Sequence, residues 1–182
     1  FPAKPLGCYG DGGAVFTNND EYAELVRSFR VHGKGQDKYD NVRIGMNSRL
    51  DTIQAAILLE KLAEFKDELS ARNRIASVYS KSLCSDYLVP KLPKGYRSSW
   101  AQYTLVSEKR DALMAALKEQ GIPTMIYYGC CMHQQSAFAN LGYQGGDFKI
   151  AERLSKQVFS LPMYPYLPED QIDVVTKVLT EM

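Results

Sequence analysis

Phe1-Pro2-Ala3-Lys4-Pro5-Leu6-Gly7-Cys8-Tyr9-Gly10-Asp11-Gly12-Gly13 sets a lysine between two prolines, with glycines at four of the positions that follow. Proline fixes φ, removes a backbone donor and pushes its predecessor out of the helical region, so Lys4 stands on a stiff loop. The glycines permit tight turns and close backbone approach. Their spacing satisfies neither the G-x-x-x-x-G-K-[S/T] pattern nor G-x-G-x-x-G, which argues against a nucleotide-cradling loop. On composition alone this is a solvated loop lysine beside a Gly-rich turn.

Beyond the glycines, Gly13-Ala14-Val15-Phe16-Thr17 is short, β-leaning and closed by Asn18-Asn19-Asp20, and is expected to be a strand ending in a turn. Asp20 suits an N-cap for a helix carrying Tyr22, Leu25, Val26 and Phe29 on one face. From His32 to Ser48 the periodicity stops, and a polar, Gly-punctuated connection of that length is usually functional or mobile. Ser48 and Asp51 resemble a capping box. Leu50, Ile53, Ile57, Leu58, Leu62, Phe65 and Leu69 then hold a helical apolar stripe, continued by Ile75, Val78 and Tyr79 to about Leu83. After that, strands are expected over Trp100 to Val106 and Thr124 to Tyr128. Helices are expected over Asp111 to Gln120, stopped by Gly121 and Pro123, then Phe148 to Phe159 and Pro168 to Leu179. Strands mixed with helices and no strict βαβ rhythm give an α+β layer structure.

The 182 residues suffice for one domain, or one domain with a small appendage. A net charge of +1 offers no bulk attraction to nucleic acid or an anionic membrane surface. No apolar run approaches a membrane span and no signal peptide is evident, so neither nucleic acid nor membrane is expected as a partner. Cys8, Cys84, Cys130 and Cys131 are sparse and irregular, which favours free thiols and a reducing cytoplasm. Cys130, Cys131 and His133 suggest a metal site only weakly: adjacent cysteines rarely reach one tetrahedral ion, and there is no C-x-x-C pair. The opening on Phe1 without a methionine is expected to be an entry into the middle of a larger protein.

The lysine-bearing stretch through Ala14 resembles the F-P-x-K-x-L-G-x-x-G-D-G-G-A motif of the DegT/DnrJ/EryC1/StrS family of pyridoxal-phosphate-dependent nucleotide-sugar aminotransferases. The resemblance continues through Val31-His32-Gly33, Lys38 to Asp51, and Ile53-Gln54-Ala55-Ala56. It returns at Trp100-Ala101-Gln102-Tyr103 and at Gly121-Ile122-Pro123-Thr124. Separate motifs in the right order make the resemblance specific. It implies an α/β to α+β fold, the C-terminal part of a fold-type I aminotransferase. Residues 1–49 would be the remnant of the large cofactor-binding domain, and residues 50–182 a long connecting helix with the small α+β domain.

The same resemblance makes Lys4 the catalytic lysine that binds pyridoxal 5′-phosphate (PLP) covalently. A lysine suits the task because desolvation and nearby cations can lower its pKa. Glutamate is the implied amino donor and a keto-sugar nucleotide the acceptor, in surface-polysaccharide biosynthesis. Asn47 and Arg49, at a helix start, suit anion binding. In the family this loop crosses a dimer interface and the asparagine touches the partner's cofactor phosphate, which implies a homodimer with shared active sites. Tyr127, Tyr128 and His133 are implied near the sugar nucleotide, with His32 as a supporting substrate-side residue. Here the family's Y-P-x-P-L-H has become Tyr128-Gly129-Cys130-Cys131-Met132-His133, without either proline. The acidic partner of the cofactor ring nitrogen lies upstream of the lysine motif in the family. A PLP-dependent sugar dehydratase would lack Lys4. A non-catalytic dimerising fragment is the other alternative.

Overall fold

Asn19, rather than Asp20, caps the first helix. In the computed structural model, which describes residues 3–182, the Asn19 side chain accepts the Tyr22 N–H at 3.0 Å and helix α1 runs Asp20–Phe29. Asp20 and Glu21 then occupy the first turn, where negative charge meets the positive end of the helix. Phe1 and Pro2, the first two residues of the lysine motif, lie outside the described residues.

The chain divides into two compact units, Phe1–Lys66 and Asp67–Met182. The first has few buried side chains. Cys8 and Ser28 are buried, but Tyr22, Val26 and Phe29 on α1 are all exposed. Residues 13–17 form no strand: a strand needs a hydrogen-bonded neighbour, and among the described residues none pairs with them. Val15 and Phe16 are accordingly 71% and 91% exposed.

The aperiodic stretch after α1 is held by backbone bonds. It doubles back on itself through bridges Val31 to Asn47 and Lys34 to Asn41. Its returning limb is tied to the end of α1, with the Met46 N–H on the Phe29 carbonyl at 2.8 Å and the Ser48 N–H on the Arg30 carbonyl at 2.9 Å. Ser48 is therefore spent on that fold-back and does not begin the next helix. Helix α2 spans Thr52–Leu83, and it is the Asp51 carbonyl that accepts the Ala55 N–H at 2.9 Å.

Along α2 the apolar stripe divides. Ile53 and Leu62 are exposed, whereas Ile75, Ala76, Tyr79 and Leu83 enter the core of the second unit. That core also takes Tyr103 and Leu105 from strand β1 (Tyr103–Val106), Leu113 and Leu117 from helix α3 (Arg110–Glu119), and Phe159 and Leu161 from strand β2 (Val158–Leu161). Ile172, Val175 and Leu179 of helix α5 (Glu169–Thr180) close it. Helix α4 (Lys149–Gln157) leads straight into β2.

Strands β1 and β2 pair antiparallel, Tyr103 opposite Leu161 and Val106 opposite Val158. Alternate residues Tyr103 and Leu105 point into the core, as period two requires. Here two expectations are corrected. The helix expected to reach Phe159 ends at Gln157, because Val158 and Phe159 gain more from pairing with β1 than from another helical turn. The strand expected over Thr124 to Tyr128 reduces to a bridge between Met125 and Ser160, with N–H to carbonyl distances of 3.2 and 2.7 Å.

Trp100 sits at φ 47°, in the left-handed region that a bulky residue rarely adopts. Three contacts hold it there. Its indole N–H donates to Asn73 Oδ1 at 3.0 Å, its N–H to Ser98 Oγ at 3.0 Å, and its carbonyl accepts from Arg72 Nη1 at 3.2 Å. Arg72 Nη1 also reaches the Met163 carbonyl at 2.9 Å, tying α2 to the exit of β2. No helix among the described residues is long and apolar enough to cross a membrane.

Candidate functional site

In the first unit, Lys4 is exposed on a stretch without helix or strand, as its flanking prolines require. Among the described residues no hydrogen bond or ion pair engages its side chain. The segment behind it turns inward: Gly7 and Cys8 are buried, and the Cys8 thiol donates to the Gly10 carbonyl at 3.1 Å.

The structure brings Asn47 and Arg49 together, Arg49 Nε donating to Asn47 Oδ1 at 2.9 Å. That bond orients both groups. It leaves the Asn47 amide N–H₂ and the outer guanidinium N–H groups of Arg49 to donate elsewhere. Both residues line a cavity of about 1000 Å³ with Asp11, Gly12, Gly13 and Arg30. Lys4 is not among its lining residues.

His32 is placed beside this pair. At φ 61° its N–H donates to the Met46 carbonyl at 3.0 Å, next to the Val31 to Asn47 bridge. Its imidazole is exposed. The two limbs approach so closely that Gly33 and Gly45 face each other: a Cβ on Gly45 would meet the Gly33 amide nitrogen, and one on Gly33, at φ 74°, the Arg43 carbonyl oxygen. Beneath them the buried Ser28 hydroxyl donates to the Lys34 carbonyl at 2.8 Å and accepts from Arg43 Nη1 at 3.2 Å. The Asn47–Arg49 donors thus stand on a braced loop.

In the second unit Tyr127 and Tyr128 are neighbours, ring centroids 5.5 Å apart and edge-on, with Tyr128 exposed. His133 lies on a short 3₁₀ turn, Met132–Gln134. Its Nε2 is 3.0 Å from Glu152 Oε1, and its ring packs 4.7 Å from that of Phe148. With Nε2 committed, only Nδ1 is left for any other partner. Beside it is an apolar recess of about 470 Å³, lined by Met132, Phe138, Leu141, Tyr143 and Phe148 among others.

Glu152 was not singled out by sequence reasoning. Its carboxylate accepts the Gly146 N–H at 2.9 Å on each oxygen and the Phe148 N–H at 3.3 Å, besides facing His133. The Gly146 amide, foremost, and then the Phe148 amide and His133 hold its carboxyl below the usual carboxylate range against a partial desolvation penalty. Gln54, also missed as an individual residue, accepts the Tyr9 N–H on Oε1 at 2.8 Å. The Glu152 contact with His133 and the Gln54 contact with Tyr9 span 19 and 45 residues, and no local pattern announces them.

The donor set of the first unit suits a phosphorylated aldehyde. There is a primary amine on a proline-flanked loop and, separately, an amide and a guanidinium oriented by their mutual bond and lining a cavity that Lys4 does not line, with Gly13, around which a Cβ would meet nothing within 4 Å. These chemistries match covalent capture of a carbonyl and recognition of a phosphate.

The model of the DegT/DnrJ/EryC1/StrS aminotransferase family matches residues 1–180, and the chain belongs to that family. The particular relatives are informative. Over 99% of its length the chain is 41% identical to the UDP-2-acetamido-2-deoxy-3-oxo-D-glucuronate aminotransferase of Pseudomonas aeruginosa, covering 49% of that protein. It superposes over its full length on a DegT DnrJ EryC1 StrS aminotransferase from Brucella abortus, with TM-score 0.94, 53% identity and 48% of that chain covered. The S. venezuelae DesV structure, in complex with a ketimine intermediate, matches with TM-score 0.95 and 35% identity, over all of this chain and 49% of its own. The chain therefore spans about half the length of the relatives it matches. Its α/β to α+β fold is that of the C-terminal part of a fold-type I aminotransferase, as expected from the motifs, and members of this family depend on PLP.

Proposed function

We propose that the complete protein is a PLP-dependent aminotransferase that moves an amino group from glutamate to a nucleotide-linked keto sugar. The observation that carries this reading is the family match over residues 1–180, which takes in the lysine motif. The name of the Pseudomonas relative, an aminotransferase of a UDP-linked 3-oxo sugar, supports a sugar-nucleotide acceptor, and we place the reaction in the biosynthesis of surface polysaccharide such as lipopolysaccharide. Free thiols at Cys8, Cys84, Cys130 and Cys131 support a cytoplasmic setting. On this reading residues 1–49 belong to the large domain and residues 50–182 form the connecting helix and the small domain.

When bound, PLP supplies the electron sink that stabilises a carbanion at the donor's α-carbon. Lys4 Nζ holds the cofactor and, when free, takes the proton from that carbon. Asn47 donates its amide N–H₂ to a phosphate oxygen, and Arg49 places its outer guanidinium edge towards an anionic substrate group, both in the partner's site of a homodimer. Tyr127 and Tyr128 line the approach of the sugar nucleotide, with His32 in support. His133 takes part through Nδ1, since Glu152 holds Nε2.

Borohydride reduction of the PLP-loaded complete protein, followed by peptide mapping, tests the assignment. The label is expected on Lys4, and Lys4→Ala is expected to abolish transamination and leave PLP removable by dialysis. A label on any other lysine refutes it.

A further inference from the structure

Residues 4–12 have no regular secondary structure to define their path. Helix α2 nevertheless reaches this stretch at two of its residues, Gln54 and Lys61. Seven residues apart, they lie about two turns along one face of the helix. Gln54 Oε1 accepts the Tyr9 N–H at 2.8 Å across a separation of 45 residues, and Lys61 Nζ stands 5.5 Å from the centroid of the Tyr9 ring. The other end of the Gln54 amide packs over Gly10, its Nε2 3.2 Å from where a Cβ would stand. Between Lys4 and this clasp the chain is pinned again at the buried Cys8, whose thiol turns to the Gly10 carbonyl.

A lysine on a loop loses reactivity if the loop samples many paths, because each path moves the amine away from the carbonyl it must meet. A clasp five residues downstream, built from a rigid helix, restricts those paths. Glutamine suits the place because one oxygen satisfies Tyr9 while the flat amide lies against Gly10. An aliphatic side chain of similar length would fill the space and leave the Tyr9 donor without this partner.

We propose that Gln54 is a positioning residue for Lys4: by fixing Tyr9 and Gly10 to helix α2 it presets the lysine loop for cofactor capture. The inference rests on the reading of Lys4 as the cofactor lysine. It is tested in the complete protein with Gln54→Met, which removes the acceptor, and Gln54→Glu, which keeps one.

Two quantities are read: amide hydrogen exchange at Tyr9 in the cofactor-free protein, and the rate at which added PLP becomes fixed to Lys4 on borohydride quenching. Gln54→Met is expected to raise Tyr9 exchange and to slow Lys4 capture, each about tenfold, as loss of one well-placed hydrogen bond implies. Gln54→Glu is expected to stay within about twofold of the parent in both. Unchanged Tyr9 exchange in Gln54→Met, or faster exchange with unaltered capture, overturns the proposal. If the parent is labelled on another lysine, the cofactor-lysine reading fails and the role of Gln54 with it. That outcome is recognisable because Tyr9 exchange still responds to Gln54→Met.

Discussion

His133 Nε2 and Glu152 Oε1 stand 3.0 Å apart across nineteen residues, and the same carboxylate gathers the N–H groups of Gly146 and Phe148. One side chain near the start of α4 thus closes the irregular excursion that follows Tyr128. The amide donors favour the charged form of Glu152, so its folded pKa lies below its unfolded one. The stabilisation is fully present above the unfolded value, about 4.3, and is lost as pH falls through the folded value. The Gly146 amide resonance is expected to titrate below that pH, and Glu152→Gln is expected to abolish the titration. A Gly146 signal that is flat with pH in the parent contradicts this account.

Core and surface apolar residues are expected to separate sharply. Leu117 is fully buried, so Leu117→Ala should cost about 2–5 kcal/mol in urea unfolding. Ile53 is 75% exposed, so Ile53→Ala in the isolated chain should stay within about 0.5 kcal/mol. Comparable losses from both would mean that the first turns of α2 are covered in solution.

The Asn47–Arg49 pair gives a test of shared sites. Mixing an Asn47→Ala or Arg49→Ala variant with Lys4→Ala is expected to restore one working site per heterodimer, about a quarter of wild-type activity after random exchange of equal amounts. A mixture as inactive as its parents, with subunit exchange demonstrated, rules out the shared arrangement.

Much of this architecture is legible in the sequence. Helices α1, α2, α3 and α5 follow from apolar periodicity and end signals, and their boundaries fall within a few residues of those expected. Elements that depend on a neighbour were not legible. Val158 to Leu161 reads locally as the end of a helix until β1 is available to pair with it, and residues 13–17 have strand composition but no pairing partner among the described residues. The site divides the same way. Lys4, Asn47 and Arg49 stand in motifs, and the bond between Asn47 and Arg49 is local. The clasp of Gln54 on Tyr9 and the closure by Glu152 bring together residues far apart in sequence, so only the folded chain reveals them.

The facing of Gly33 and Gly45 has a genetic consequence. Every missense change reachable by one nucleotide from a glycine codon adds a Cβ, and at these two positions the added atom would meet backbone, which has no rotamer with which to yield. Residues 36–44 between them are exposed, and apart from Arg43, whose guanidinium braces the Ser28 hydroxyl, their side chains have room to change. A codon-by-codon fitness map of this loop should therefore show two intolerant columns bracketing a permissive run. Compensation at one glycine cannot rescue the other, since both already carry the smallest residue there is.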